Sequence, residues 1–307
     1  MAPRACATRV APLGFLWNPF SSPFHPLPPP SVPLLSLTPS RLDLTQMYPA
    51  AIIKGQTNTT DSHERLMSLG ISPRVKSEAS PSEKFPFVVF SAPPSGSEDY
   101  TGEIKAALKQ WDGTGGFVFT SSTAVYAGTD GETCDETTPE YAVGENPRAD
   151  RLLQAEAAVL EAGGCVVRLS GLYHSTRGAH MYFLKTPTIK SSPDGIVNLV
   201  HYEDAAAAVV DALGAQLDGT SEGGEVFLAT DGAPITRKDM VEACLESVAY
   251  DEGAMPEFSG DDAATGKSMT NPKTRERLGW KPTHSSFAEF VSGGAVDSFS
   301  DKKIKFV

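Results

Sequence analysis

The chain alternates short apolar runs with longer stretches in which apolar residues recur every three or four positions. A short unbroken run is typical of a strand buried on both faces, and the wider spacing is typical of an amphipathic helix. The predicted strands are residues 50–55, 87–92, 116–120 and 166–169, and the predicted helices between them are 61–69, 99–111 and 147–162. This alternation predicts right-handed crossovers and a doubly wound α/β fold, with helices on both faces of a parallel sheet.

Glycines follow two of the predicted helices directly, Gly70 after the first and Gly163 after the third. Glycine at this position adopts the left-handed conformation that ends a helix. The two residues therefore support the helix boundaries.

Small and polar residues end three different strands. Because parallel strands finish at one edge of a sheet, and ligands of open α/β folds bind at that edge, we predict one pocket there. The strand-end residues assigned to it are Ser91, Ala92, Pro93, Thr120, Ser121, Ser122 and Tyr173. A specific consequence is that Ser91 and Ser122 lie at the same end of the sheet.

Residues Gly115 to Glu140 read GGFVFTSSTAVYAGTDGETCDETTPE, a buried strand followed by serines, a tyrosine and an acidic loop. This stretch resembles the fifth-strand region of the extended short-chain dehydrogenase/reductase superfamily, the NAD(P)-dependent epimerases and dehydratases. The segments RLSGLY, NLVHYEDAAAA and NPKTRERLGWKP are also similar to that superfamily. The resemblance covers nearly all of residues 48–291 and is strongest to an atypical, plastid-associated subgroup of NAD(P)-binding Rossmann-fold proteins.

The resemblance implies a Rossmann-like NAD(P)-binding core at residues 43–173 and a small C-terminal α/β substrate lobe at 174–307, interleaved with the last core strands. It implies that Ser122 hydrogen-bonds a substrate carbonyl, and Tyr126 is the phenol nearby; the alternative for Tyr126 is a packing role. The cofactor-binding candidates are Lys54, Thr57, Asn58, Ser91, Ala92, Pro93, Thr120, Ser121 and Tyr173.

Two expected features are absent from the sequence. A glycine-rich turn that would admit a pyrophosphate to a helix N-terminus is not found, so the first strand and glycine loop are missing or replaced. One replacement is residues 32–37 as the strand, with residues 38–40 as a short turn; the alternative is a truncation. The tyrosine and lysine of the superfamily's Tyr-x-x-x-Lys pair fall on Arg148 and Leu152.

The turn after the second predicted strand bears on cofactor preference. It reads Lys-Gly-Gln-Thr-Asn-Thr from Lys54, with no acid before Asp61. An acid here binds the ribose hydroxyl of NAD, whereas basic and hydroxyl residues suit the 2′-phosphate of NADP. The sequence therefore favours NADP over NAD, unless residues 57–60 only cap the following helix.

Composition limits the classes of partner. A net charge of −12 and a pI near 5.0 argue against nucleic acid, which needs a basic face. No apolar run is long enough to predict a membrane span. The four cysteines form no Cys-x-x-Cys pair, so they indicate neither a cysteine zinc site nor a disulfide framework.

The first 42 residues are rich in proline and serine and contain no acid. Such a segment is typical of a transit peptide, and its proline content favours a plastid, so we predict the plastid stroma. The alternative is a disordered tail that carries no targeting signal.

Three functions remain open from the sequence. The protein is an NAD(P)-dependent oxidoreductase, epimerase or dehydratase acting on a small molecule, a nucleotide-binding regulator without turnover, or an inactive truncated isoform.

Overall fold

The structure is a computed structural model that describes residues 52–80, 82–128, 130–250, 254–260 and 265–297, and the backbone of Gly14–Asn18. The described helices are α1 (His63–Ser68), α2 (Tyr100–Leu108), α3 (Pro147–Glu161), α4 (Ala179–Lys185), α5 (Tyr202–Leu217), α6 (Arg237–Leu245), α7 (Pro272–Leu278) and α8 (Phe287–Ser292). The described strands are β1 (Gly14–Asn18), β2 (Ile52–Thr57), β3 (Ser72–Val75), β4 (Phe87–Phe90), β5 (Phe117–Ser122), β6 (Thr133–Cys134), β7 (Cys165–Leu169), β8 (Gly171–Tyr173), β9 (Thr188–Ile189), β10 (Ile196–Val197), β11 (Leu199–His201), β12 (Val226–Ala229), β13 (Ile235–Thr236), β14 (Glu257–Phe258) and β15 (Ser268–Met269).

The main sheet has seven strands in the order β12-β7-β5-β4-β1-β2-β3. The pairs β2–β3, β4–β5, β5–β7 and β7–β12 are parallel. The parallel pairing of β4 with β5 confirms the prediction for residues 87–92 and 116–120. The four predicted strands are all present, with boundaries shifted by at most a few residues.

The central strand is the part of the sheet that differs from expectation. We expected the first 42 residues to stay outside the fold, yet the backbone of Gly14–Asn18 lies between β4 and β2 and is antiparallel to both. Two separated strands leave unpaired backbone groups, and an extended segment between them supplies the hydrogen-bond partners. Residues 14–18 thus occupy the position between β2 and β4. The predicted replacement strand, residues 32–37, lies outside the described part of the chain.

Helices cover both faces of the sheet, as predicted. On one face α2 and α3 pack over Val88, Phe90, Phe117 and Phe119, all of them buried. On the other face α5 packs over a second apolar cluster that contains Val118, Val167 and Phe227. Alternate residues of β4 and β5 therefore point to opposite cores, which explains why these strands are apolar without interruption.

Local signals in the sequence set the helix ends. Gly70 and Gly163 have φ angles of 76° and 83°, which confirms the two predicted terminators. Asp99 and Asn146 cap the N-termini of α2 and α3 by accepting backbone N–H groups. No helix in the described residues is both long and apolar enough to cross a membrane.

A third buried cluster joins α4, α6 and α8 and lies beyond the main sheet. It contains Tyr173, at the end of β8, which pairs with β11 in a separate two-stranded sheet. The strand β12 returns to the main sheet from within this part of the chain. The C-terminal third is therefore interleaved with the core.

Candidate functional site

A cavity of about 270 Å³ extends along β4 and α2 and reaches the carboxyl ends of β2 and β4 at Thr57, Asn58 and Ala92. Its edge is formed by Gln56, Thr57 and Asn58 on one side and by Ala92 on the other. These are the strand ends at which open α/β folds bind ligands. Three of the predicted cofactor residues, Thr57, Asn58 and Ala92, therefore line one cavity.

The apolar floor of the cavity comes from β4 and its wall comes from α2. Val88 and Phe90 lie beneath it, and Ala106 and Ala107 face it from the helix. The end near Ala92 is fixed by Tyr100, whose hydroxyl donates a 2.6 Å hydrogen bond to the Ala92 carbonyl. Apolar surface with polar groups at one end suits a flat ring that carries a polar substituent.

Thr57 lines the cavity and also stabilises the turn that follows β2. It is 1% exposed, and its hydroxyl donates to the Thr59 carbonyl at 2.7 Å and hydrogen-bonds His63 Nε2 at 2.9 Å. The side chain thus holds the turn before α1. Asn58 is exposed at the cavity mouth and is the side chain more available to a ligand.

The predicted cofactor residue Lys54 is not part of the cavity lining that the structure describes. It sits in the middle of β2, and its ammonium donates to Glu83, which also accepts from Arg74. The hydrogen bond from Lys54, with the contribution of Arg74, lowers the pKa of Glu83. Burial raises it by less, so the pKa lies below its usual range. Lys76 does line the cavity, as does Lys109, and Lys76 pairs with Glu103 at 2.9 Å.

The end of β5 carries the predicted serines. Phe90 pairs with Phe119, so Ser91 leaves β4 at the same edge at which Ser122 ends β5. The Ser122 hydroxyl is half-buried and accepts the backbone N–H of Ala124 at 3.2 Å, which starts a 3₁₀ turn. Ser91, Pro93, Thr120 and Ser121 are not among the residues that line the cavity described above.

Ser121 belongs to a buried ionic network behind the edge. Its hydroxyl donates to Glu156 on α3, and Arg168 on β7 binds the same carboxylate, with Nη2 2.6 Å from Oε2. Nη2 also lies 2.6 Å from Glu140 in the acidic loop. Burial lowers the pKa of Arg168, but the hydrogen bonds and the charge of Glu156 raise it by more than burial lowers it. The pKa therefore lies above its usual value, and the guanidinium stays charged.

Tyr126 packs against that network. Its ring is fully buried, and the Arg168 guanidinium lies 4.7 Å from the ring centroid. Burial, opposed in part by Arg168, raises the pKa of Tyr126 to about 12. A lysine does approach, but Lys267 donates to the backbone carbonyl of Tyr126, and the phenol oxygen has no hydrogen-bond partner among the described residues. This geometry favours the packing role over proton transfer.

A second buried polar group lies where β12 ends. Tyr173 is fully buried against His201, Phe287 and Phe290, and its hydroxyl has no described partner. Asp231 is 5% exposed; one carboxylate oxygen accepts the Ala233 N–H at 2.9 Å, and the other is unpaired among the described residues. Burial is the main cause that raises the pKa of Asp231 to about 7.

Asp231 should make stability depend on pH. Its pKa is higher in the folded than in the unfolded protein, so the folded state binds more protons between about pH 4 and pH 7, and stability falls as pH rises through that window. We expect Asp231→Asn to be more stable than the wild type at pH 8 by about 4 kcal/mol, since the pKa is raised by about three pKa units at about 1.4 kcal/mol each, with little difference at pH 4. Urea denaturation of both proteins at the two pH values measures this. Equal differences at both values would contradict the assignment.

Reasoning from the sequence missed two residues of this region. Lys76 directly follows β3, a strand that the sequence did not predict, and Lys267 reaches the Tyr126 carbonyl across 141 positions; no local motif marks either of them. The sequence did mark Asn58 and Ala92 correctly as residues that follow buried strands.

Comparisons with known proteins find similarity in structure but not in sequence. No protein-family model matches the sequence, and no curated protein matches it. Among solved structures, a functionally unknown conserved protein from Silicibacter pomeroyi has a TM-score of 0.61 at 22% identity, covering 78% of this chain and 89% of that one. MoeE5, solved with UDP-glucose and NAD, has a TM-score of 0.58 at 14% identity, covering 76% of this chain and 88% of that one.

A UDP-glucuronic acid 4-epimerase from Bacillus cereus, solved with NAD, has a TM-score of 0.51 at 16% identity and covers 67% of each chain. Identities this low establish a shared architecture rather than a shared activity. The chain therefore has the Rossmann-like α/β fold of these solved structures, two of which hold NAD.

Proposed function

We propose that this chain is an NAD(P)-binding protein that holds the adenosine half of the dinucleotide in the cavity at the ends of β2 and β4. The observation that carries the proposal is the cavity itself, which extends to the sheet edge at which open α/β folds bind nucleotides. Its volume of about 270 Å³ lies at the lower limit of ligand pockets, roughly 300–1,000 Å³, so it suits part of a dinucleotide.

The same geometry favours binding without turnover over an oxidoreductase or epimerase. Hydride transfer to a carbonyl needs a proton donor, and such a donor works best when its pKa lies near the operating pH. Tyr126 is buried, and its pKa is raised to about 12. Lys267 donates a hydrogen bond to the backbone carbonyl of Tyr126 and not to its phenol oxygen. The proposed function is therefore a nucleotide-binding regulator.

One observation supports the enzyme as a second candidate. Ser122 stands half-buried at the end of β5, at the edge where the fold presents catalytic groups. Consumption of NADPH or NADH in the presence of nucleotide sugars would favour this candidate, which requires a proton donor other than Tyr126.

The expected affinity is low. Because β1 runs antiparallel to β2 and β4, its carboxyl end lies at the sheet edge opposite to theirs, so β1 cannot lead directly into a helix N-terminus that faces a pyrophosphate at their carboxyl edge. We expect a dissociation constant for NADPH on the order of millimolar, about 4 kcal/mol of binding free energy. Calorimetric titration measures it. Micromolar binding would contradict the structural reason, and no binding at all would support an inactive form.

We also propose a preference for NADP over NAD. Asn58 and Lys76 lie at the cavity, and no acid precedes Asp61 in this turn. The 2′-phosphate would lie near these two residues, where it would replace Glu103 as the partner of Lys76, whereas Lys54 lies outside the described lining. The same titration with NADH tests the preference, and tighter binding of NADH would contradict it.

A bulky residue in the cavity should abolish binding. Ala106 lies on the exposed side of α2 and faces the cavity, so Ala106→Phe adds a ring there without disturbing the buried core. We expect at least tenfold weaker binding of NADPH in a saturation-transfer or calorimetric titration. Lys105→Phe is the control, because it places the same ring on the same helix at an exposed position outside the lining. An equal loss in both variants would argue against the cavity as the binding site.

A further inference from the structure

A cluster of two histidines and a glutamate lies away from the cavity, where α5 begins. His201 ends β11, Glu203 lies in the first turn of α5, and His284 comes from the loop between α7 and α8. One ligand atom from each residue lies within 4.8 Å of the other two. Glu203 Oε2 is 3.0 Å from His284 Nε2 and 3.8 Å from His201 Nδ1.

Two aspartates hold the cluster in place from outside. Asp297 Oδ1 accepts a 3.0 Å hydrogen bond from His201 Nε2, and the same carboxylate is bound by the backbone and side chain of Ser175. Asp204 accepts the backbone N–H groups of Thr283 and His284 at 2.6 and 3.0 Å. With Nε2 of His201 donating to a carboxylate, its Nδ1 is an acceptor; it accepts the backbone N–H of Glu203 at 3.2 Å, and the Glu203 carboxylate lies 3.8 Å away. A carboxylate behind a histidine is the arrangement that orients imidazole ligands of metals.

The spacing of the three atoms fits a small divalent ion. Ligands at about 2.0–2.1 Å in tetrahedral geometry lie about 3.3 Å apart, between the two distances observed here. His201 is fully buried, but the side chains of Glu203 and His284 are 21% and 16% exposed, so an ion can enter and keep a water molecule as a fourth ligand. Two imidazoles and one carboxylate form a ligand set for zinc-like metals rather than for calcium or magnesium.

We propose that His201, Glu203 and His284 bind one divalent transition-metal ion of the zinc type. The ion replaces two contacts: the hydrogen bond between His284 and Glu203, and the 3.2 Å contact from the Glu203 N–H to His201 Nδ1. It ties the start of α5 to the loop that precedes α8. The site is structural and independent of the nucleotide cavity.

The test is titration of chelator-treated full-length protein with ZnSO₄, followed by calorimetry, and with CoCl₂, followed by visible absorption. We expect one ion per chain, with micromolar or tighter affinity, and a Co²⁺ spectrum without a thiolate charge-transfer band. Glu203→Gln and His284→Ala should each weaken binding at least tenfold. Glu222→Gln is the matched control, since it removes an exposed carboxylate outside the cluster.

A second readout separates loss of the site from loss of the fold. Zinc should raise the melting temperature of the wild type and of Glu222→Gln but not that of Glu203→Gln, whose amide can still hydrogen-bond His284. Circular dichroism of each variant without metal checks the fold. Zinc binding with equal affinity in all variants, or no stoichiometric binding by the wild type, overturns the proposal.

Discussion

Replacing Arg168 with leucine is expected to lower the free energy of unfolding by about 3–5 kcal/mol. The guanidinium is 2% exposed and binds Glu156, which is also 2% exposed, through Nε and Nη2. Without the arginine, the glutamate keeps a buried charge that has no cation to compensate for it, and such a charge is costly. Urea denaturation of the wild type and the variant at pH 7 measures the difference.

Two further variants make this result specific. The double variant Arg168→Leu/Glu156→Leu removes both charges and is expected to recover most of the lost stability, since apolar replacement of a whole buried pair is often nearly neutral. Arg277→Leu breaks an exposed pair, with Arg277 Nη2 3.1 Å from Glu225, and should destabilise the protein far less than the Arg168 variant does, because solvent screens the exposed charges. A single Arg168 variant as stable as the Arg277 variant would contradict the energetic role of the buried network.

The other large effect concerns the central strand. A chain in which the residues before Ile52 are replaced by a strand parallel to β2 and β4, followed by a Gly-x-x-Gly-x-x-Gly turn and a helix, is expected to bind NADPH with micromolar affinity. The turn and the helix N-terminus would then face the pyrophosphate at the carboxyl edge, which β1 in its present direction does not allow. The gain is about a thousandfold, or about 4 kcal/mol.

Calorimetric titration with NADPH compares this chain with the original protein. The control carries the same inserted strand and helix with valine at each glycine of the turn, because a side chain there blocks the close approach of the phosphates. Millimolar binding by the glycine-containing chain would show that the antiparallel central strand is not what limits affinity.

Much of the fold was predictable because its signals are local. Unbroken apolar runs marked the strands that are buried on both faces, and Phe117–Ser122 appeared where the sequence placed it. Gly70 marked a helix end through a backbone conformation that disfavours other residues. The shared edge of Ser91 and Ser122 followed from parallel pairing alone.

The site was predictable only in part. A strand end shows where a residue lies along the sheet edge, but it does not show what its side chain contacts. Asn58 and Ala92 line the cavity as expected, whereas Ser121 is bound to Glu156 behind the edge. Tyr126 follows the strand as its motif suggested, yet its ring packs in the core beneath Arg168.

The sequence by itself determined the α/β alternation, the strands of the core and the absence of a glycine turn and a Tyr-x-x-x-Lys pair. Only the tertiary structure decided which charges are neutralised and which groups meet. Lys54 pairs with Glu83 across 29 positions, His201 with Asp297 across 96, and Lys267 with the Tyr126 carbonyl across 141. The tertiary structure also decided the direction of the central strand, β1. Contacts between distant residues depend on how whole elements pack, and no periodicity within a short window encodes that packing.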